Sequence, residues 1–106
     1  MLTESTLIDA ARLLGEAAAP ARVILFGSYA RGDADAHSDA DFLVIEREAR
    51  DPGAEMVRLN QVLRPLGIAA DVLVYSEAEA ERRRDWCSSA VYWAFREGRV
   101  LYDSAA

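Results

Sequence analysis

The stretch "LFGSYARGDADAHSDADFLVIE", Leu25 to Glu46, decides the fold of this chain. It holds two Asp-Ala-Asp triplets, Asp33/Asp35 and Asp39/Asp41, and the residues downstream of each tell them apart. Behind Asp41 runs the apolar Phe42-Leu43-Val44-Ile45, which reads as a buried strand. Side chains two apart on a strand share a face, their Cα atoms about 7 Å apart. Asp39 and Asp41 are therefore expected to point the same way at the head of that strand. Two carboxylates held together repel unless a cation sits between them, and Mg2+ prefers such hard oxygen ligands beside phosphates. Asp33 and Asp35 lie among Gly32, Ala34 and Ala36 with no apolar run to anchor them, and read as a solvated loop. A calcium loop starting at Asp33 would need an oxygen ligand, a glycine and a glutamate where His37, Ser38 and Val44 stand.

Upstream, "RVILF" (22 to 26) reads as a buried strand ending at Gly27-Ser28. A strand that turns through Gly-Ser into a short helix leaves backbone N–H groups pointing outward, which attracts phosphate. Gly-Ser alone is an ordinary turn. Followed by ten residues and then Asp-x-Asp opening a strand, it becomes a specific signal.

Working outward, residues 3 to 18 carry Leu7, Ala11, Leu14 and Ala18 on one helical face, ahead of an alanine cluster (Ala17 to Ala19) and Pro20. Asp51-Pro52 reads as an N-cap with proline at the first helical position. The helix it opens carries Met56, Leu59, Leu63 and Leu66 and ends near Gly67. A third strand, "IAADVLVYS" (68 to 76), places Asp71 in a setting like that of Asp41. If these strands are neighbours, Asp71 is expected to face the same point; its bland reading is a strand-end carboxylate in water. Ser76 and Glu79 match a capping box, and the helix is expected to run on to Gly98 with a break near Asp85. "RVLYD" suggests a short final strand. Alternating helices and strands predict an α+β (α/β layered) fold, a mixed sheet of three to four strands flanked by helices, in one domain spanning residues 1–106.

Composition narrows the function. A net charge of -6 argues against direct nucleic-acid binding, which needs a basic face. All twelve basic residues are arginine, so a P-loop lacks its lysine. No run of about 18 apolar residues offers a membrane span. The lone Cys87 and the absence of a signal peptide fit the cytoplasm. His37 reads as a loop histidine rather than a catalytic base, Arg82-Arg83-Arg84 as a solvated helix face, and Cys87 as a buried small hydrophobe. Trp86, Tyr92, Trp93 and Phe95 spread too widely for one buried stripe and suit a protein interface.

Gly27-Ser28, Arg31-Gly32, Ser38 and Asp39-x-Asp41 together resemble the signature of DNA polymerase beta-type nucleotidyltransferases, above all the minimal (MNT-type) members. The resemblance spans nearly the whole chain. It implies the nucleotidyltransferase fold, ATP as nucleoside triphosphate donor and Mg2+ as cofactor. By position, Asp39, Asp41 and Asp71 would be the catalytic and metal-binding carboxylates, and Gly27 and Ser28 would hold the β- and γ-phosphates. Arg31 stands as a further phosphate contact or a surface charge. Larger relatives add an acceptor-binding domain for which no residues remain here. MNT-type proteins pair with a HEPN-domain toxin in a type VII-like toxin–antitoxin system, as antitoxins that can adenylylate a toxin tyrosine. Two alternatives stay open: an antitoxin that neutralises by binding alone, and an enzyme modifying a small molecule such as an aminoglycoside.

Overall fold

A computed structural model describes residues 1–18 and 20–104. The order is α1 (Glu4–Ala18), β1 (Ala21–Phe26), α2 (Ser28–Arg31), β2 (Ala40–Glu46), α3 (Pro52–Val62), a 3-10 turn (Arg64–Leu66), β3 (Ala70–Ser76), α4 (Glu77–Arg83), α5 (Ala90–Glu97) and β4 (Arg99–Asp103). The strands form one mixed sheet in the order β3-β2-β1-β4. β1 is antiparallel to β2 and to β4, while β2 and β3 are parallel, joined by the crossover through α3. This is the α+β arrangement the sequence predicts, with the final strand present.

Period-two alternation sorts the sheet into two faces. Val23, Leu25, Phe42, Val44, Val72 and Val74 pack with Leu7, Ala11, Leu14 and Leu59 of α1 and α3. On the other face Ile24, Leu43 and Ile45 pack with Ala80, Val91 and Ala94 of α4 and α5. The second set carries the odd-numbered positions of β2 and β3, so Asp41 and Asp71 belong to the face covered by α4 and α5. At the far end of β2 the alternation instead buries a carboxylate, Glu46, on the α1/α3 face.

Local signals explain most boundaries. The Thr3 hydroxyl accepts from Thr6 N–H at the start of α1. Asp51 Oδ1 accepts from Ala54 N–H with Pro52 first in α3. That helix stops at Val62, earlier than the expected end near Gly67, because Pro65 has no N–H to continue it. Gly67 closes the 3-10 turn at φ 62°. Half of the expected capping box forms: Ser76 Oγ accepts from Glu79 N–H, while the Glu79 carboxylate pairs with Arg82 and Arg83. Ala19 of the alanine cluster lies outside the described residues.

The expected break near Asp85 is a full turn. α4 ends at Arg83, Trp86 N–H bonds Arg83 carbonyl, and Ser89 Oγ caps α5 through Val91 N–H. This corrects the reading of Cys87. The turn lifts it off any helix face, and it is exposed rather than buried. Trp86 sits in the same turn, also exposed.

Candidate active site

Three facts of register assemble the site. Phe26 and Asp41 are Cα partners across the antiparallel β1–β2 pair. Asp41 and Asp71 are Cα partners across the parallel β2–β3 pair, where neighbouring strands lie about 4.8 Å apart. Asp39 precedes Asp41 by two, just ahead of the strand, and is exposed. The side chains of Phe26, Asp41 and Asp71 therefore form one row at one end of the sheet.

Asp41 is the strained member of this row. Burial raises its carboxyl above the usual carboxylate range, and the charges of Asp71 and then Asp39 push it further, offset in part by Arg31. A carboxylate feeling two others is the electrostatic condition that a cation relieves. Beside it, Gly27 turns the chain at φ 76°, and a Cβ there would overlap the Asp41 carboxylate. Gly27 thus does two things: it adopts a backbone that L side chains rarely adopt, and it leaves room beside Asp41. Its carbonyl accepts from Ala30 and Arg31 N–H, which starts α2 and leaves the N–H groups of Ser28 and Tyr29 without an acceptor inside that short helix.

Among the described residues no group of three His, Cys, Asp or Glu side chains is gathered so as to hold an ion as it stands. The chemistry of the donors nonetheless fits Mg2+. Asp39, Asp41 and Asp71 are hard oxygen ligands, two of them in register, next to a backbone cradle that a Cβ would fill.

The remaining predicted residues lie around this row. Arg31 is held by Glu97 at 2.9 Å and by Asp33 at 3.2 Å, so its guanidinium is engaged at the edge of the site. Asp33 and Asp35 are exposed loop residues, and Asp35 organises the loop: its Oδ1 accepts from His37 N–H at 2.8 Å and from the Ser38 hydroxyl at 3.2 Å. His37 is exposed beside them. Arg82 and Arg84 pair with Glu79 and Glu81, and Arg83 lies over the rings of Tyr75 and Trp86.

Sequence reasoning misses Phe26, Asn60, Ala90 and Trp93. Phe26, Asn60 and Ala90 line a cleft of about 300 Å³ together with Asp41 and Asp71. Asn60 donates to Met56 carbonyl at 2.7 Å. An adjoining cavity of about 500 Å³ shares Phe26 and Ala90 and adds Gly27, Arg31, Trp93 and Glu97. Only the pairing of β1 with β2 could have flagged Phe26, since it stands opposite Asp41. A larger cavity, about 650 Å³, lies at the opposite end of β2 around Glu46, Glu55 and Arg58, away from the carboxylate row.

Comparison with known proteins bears on the family and the fold. Residues 6–93 match the family model described as "Nucleotidyltransferase domain". A candidate protein adenylyltransferase of Methanocaldococcus jannaschii is 35% identical over 81 residues, 76% of this chain and 77% of that protein. A second candidate protein adenylyltransferase of that organism is 67% identical over a shorter stretch of 27 residues, 26% of this chain and 27% of its own length. Among solved structures, a toxin–antitoxin with AMP-PNP aligns at TM-score 0.66 and 22% identity, covering 96% of this chain and 74% of that one. A tri-AMPylated HEPN toxin of Shewanella oneidensis in complex with its MNT antitoxin aligns at TM-score 0.62 and 17% identity, covering 98% and 75%. At such identities these two likenesses are of fold, and the fold is that of nucleotidyltransferases. With the matched model running through Gly27-Ser28, Asp39-x-Asp41 and Asp71, the chain belongs to the nucleotidyltransferase domain family.

Proposed function

We propose that this chain is a Mg2+-dependent adenylyltransferase that moves AMP from ATP to a hydroxyl, that of a tyrosine, on a HEPN-domain toxin, and so acts as the antitoxin of the pair. The observation that carries the reading is the register of Asp41 with Asp71 next to the Gly27 turn. Supporting it are the relatives described as candidate protein adenylyltransferases and the two neighbours of like fold, one holding AMP-PNP and one an AMPylated toxin.

In this reading Asp39 and Asp41 hold the metal, and Asp71 completes the set. Bound Mg2+ would offset charge on the phosphate oxygens and on the leaving pyrophosphate. Asp39, exposed ahead of β2, would supply a further carboxylate oxygen to that ion. Asp71 accepts the proton of the attacking hydroxyl at its carboxylate as the new O–P bond forms and the bond to pyrophosphate breaks. Gly27 admits the β- and γ-phosphates close to the backbone, and Ser28 donates its N–H and hydroxyl to them. Arg31, exchanging Asp33 and Glu97 for phosphate, adds a positive charge there. One layered domain spanning residues 1–106 carries all these groups, and the reading places it in the cytoplasm with ATP. The net charge of -6 suits a basic, RNA-cutting partner better than nucleic acid itself.

Growth of cells expressing the toxin tests the reading against neutralisation by binding alone. The wild-type chain restores growth and Asp41→Asn does not. Equal rescue by Asp41→Asn, with a stable complex recovered, contradicts transfer and leaves binding as the activity.

A further inference from the structure

The cavity beside the carboxylate cleft has an aromatic wall that the transfer chemistry leaves unused. Trp93 is 47% exposed, yet its ring is not free to turn. Its indole N–H donates to Cys87 carbonyl at 3.1 Å, and the ring meets Tyr92 edge-on, with centroids 5.0 Å apart at 87°. An exposed indole fixed in orientation has already lost the rotamer freedom that binding would otherwise cost. The cavity it lines, about 500 Å³, is of ligand size and shares Phe26 and Ala90 with the carboxylate cleft beside it. Gly27 and Arg31 line it as well.

Resting on the adenylyltransferase reading, we propose that Trp93 is the shelf on which the base of the nucleoside triphosphate stacks, and that it sets a preference for purines. Base and phosphates are the two ends of one ligand, and the cavity joins an apolar aromatic wall to Gly27 and Arg31, two of the three residues assigned to phosphate. Stacking is indifferent to hydrogen-bond pattern and grows with ring area, so a purine gains more than a pyrimidine. Glu97 lies one helical turn from Trp93 on α5 and lines the same space, where its carboxylate can accept from an exocyclic amino group.

Calorimetric titration of the full chain with Mg2+ and either ATP, UTP or tripolyphosphate tests this. For the parent chain we expect ATP to bind more tightly than UTP. Trp93→Ala weakens ATP about 5- to 100-fold, the range that loss of one base–aromatic stack gives. Tripolyphosphate affinity stays the same, and the ATP-over-UTP ratio collapses. Trp93→Phe, which keeps an aromatic face but loses the bond to Cys87, retains most of the ATP affinity. In a Trp86→Phe chain the sole remaining indole is Trp93, and ATP quenches its emission while tripolyphosphate does not. Unchanged ATP affinity in a folded Trp93→Ala chain overturns the proposal, and so does an equal loss for ATP and tripolyphosphate. Should the parent bind neither compound, the adenylyltransferase reading itself falls and takes this one with it.

Discussion

Gly27 and Asp41 share one small volume: the space a side chain would fill at residue 27 is taken by the Asp41 carboxylate. A turn and a metal-ligand candidate thus constrain each other across the β1–β2 pair, and the glycine of the Gly-Ser signature is set by that contact as well as by its φ of 76°.

Gly27→Ala is expected to hurt twice. The backbone there is nearly glycine-only, so strain costs about 1–3 kcal/mol, and the new methyl displaces Asp41. A melting temperature lowered by roughly 5–20 °C is expected for a domain of this size. Transfer falls by about 10²-fold in whatever fraction stays folded, as expected for misplacement on the order of 1 Å. Thermal melts and turnover on the same preparation check both.

Asp41→Asn should stabilise the metal-free protein. The folded carboxyl of Asp41 is raised above its unfolded value, so its contribution is fully present below the unfolded pKa and is lost as pH rises through the folded one. At neutral pH the charge is therefore a cost, which the amide removes. Melts in chelator should show the variant more stable than wild type by a few degrees. In Mg2+ the wild type gains stability and the variant does not. A variant less stable than wild type in chelator contradicts repulsion among the site's carboxylates.

A second carboxyl cluster sets the pH profile of the fold itself. Glu46 is 6% exposed on the α1/α3 face. Burial, and then Glu55, raise it to about 7; Arg58 and then Glu46 hold Glu55 down at about 2. Arg58 also donates to the Ala17 carbonyl at 2.9 Å, tying α3 to the end of α1. The signs are opposite. Glu46 contributes stability at low pH that is lost as pH rises through about 7, whereas Glu55 contributes stability at higher pH that is lost as pH falls toward about 2. Wild type should therefore lose stability as pH rises from about 4.5 to about 7, and Glu46→Gln should flatten that slope while leaving the acid limb in place. Denaturant titrations across this range measure it.

Gly15→Ala runs against helix propensity. In an open helix the change gains about 0.5–1 kcal/mol. In α1 the new methyl would overlap the ring of Tyr102 on β4, and overpacking of that kind costs about 1–3 kcal/mol. The second effect is the larger, so the variant should be less stable. Replacing Tyr102 by leucine in the same chain should recover part of the loss, giving a non-additive cycle.

Much of the fold is legible in the sequence because local signals and the global arrangement agree. The apolar run behind Asp41 announces β2, and the echo "ADFLVIE"/"ADVLVYS" marks two like strands, while Asp39 falls just ahead of β2, where the period of two does not reach it. Their register is a tertiary fact that no local signal carries, and it is what sets Asp71 beside Asp41. Cys87 misleads for a related reason. Periodicity through residues 86–94 suggests one helix, while the turn closed by Ser89 Oγ on Val91 N–H ends that helix and exposes both Trp86 and Cys87. Trp93 and Phe26 carry no motif. Their place in the site comes from α5 packing across β1, which only the assembled sheet reveals.

Intact mass spectrometry of the chain incubated with the product of its neighbouring gene, ATP and Mg2+ tests the central claim most directly. The expected result is an AMP-sized gain on the partner that disappears with chelator and with Asp41→Asn or Asp71→Asn. A partner of unchanged mass, bound tightly by wild type and by both variants alike, would contradict it.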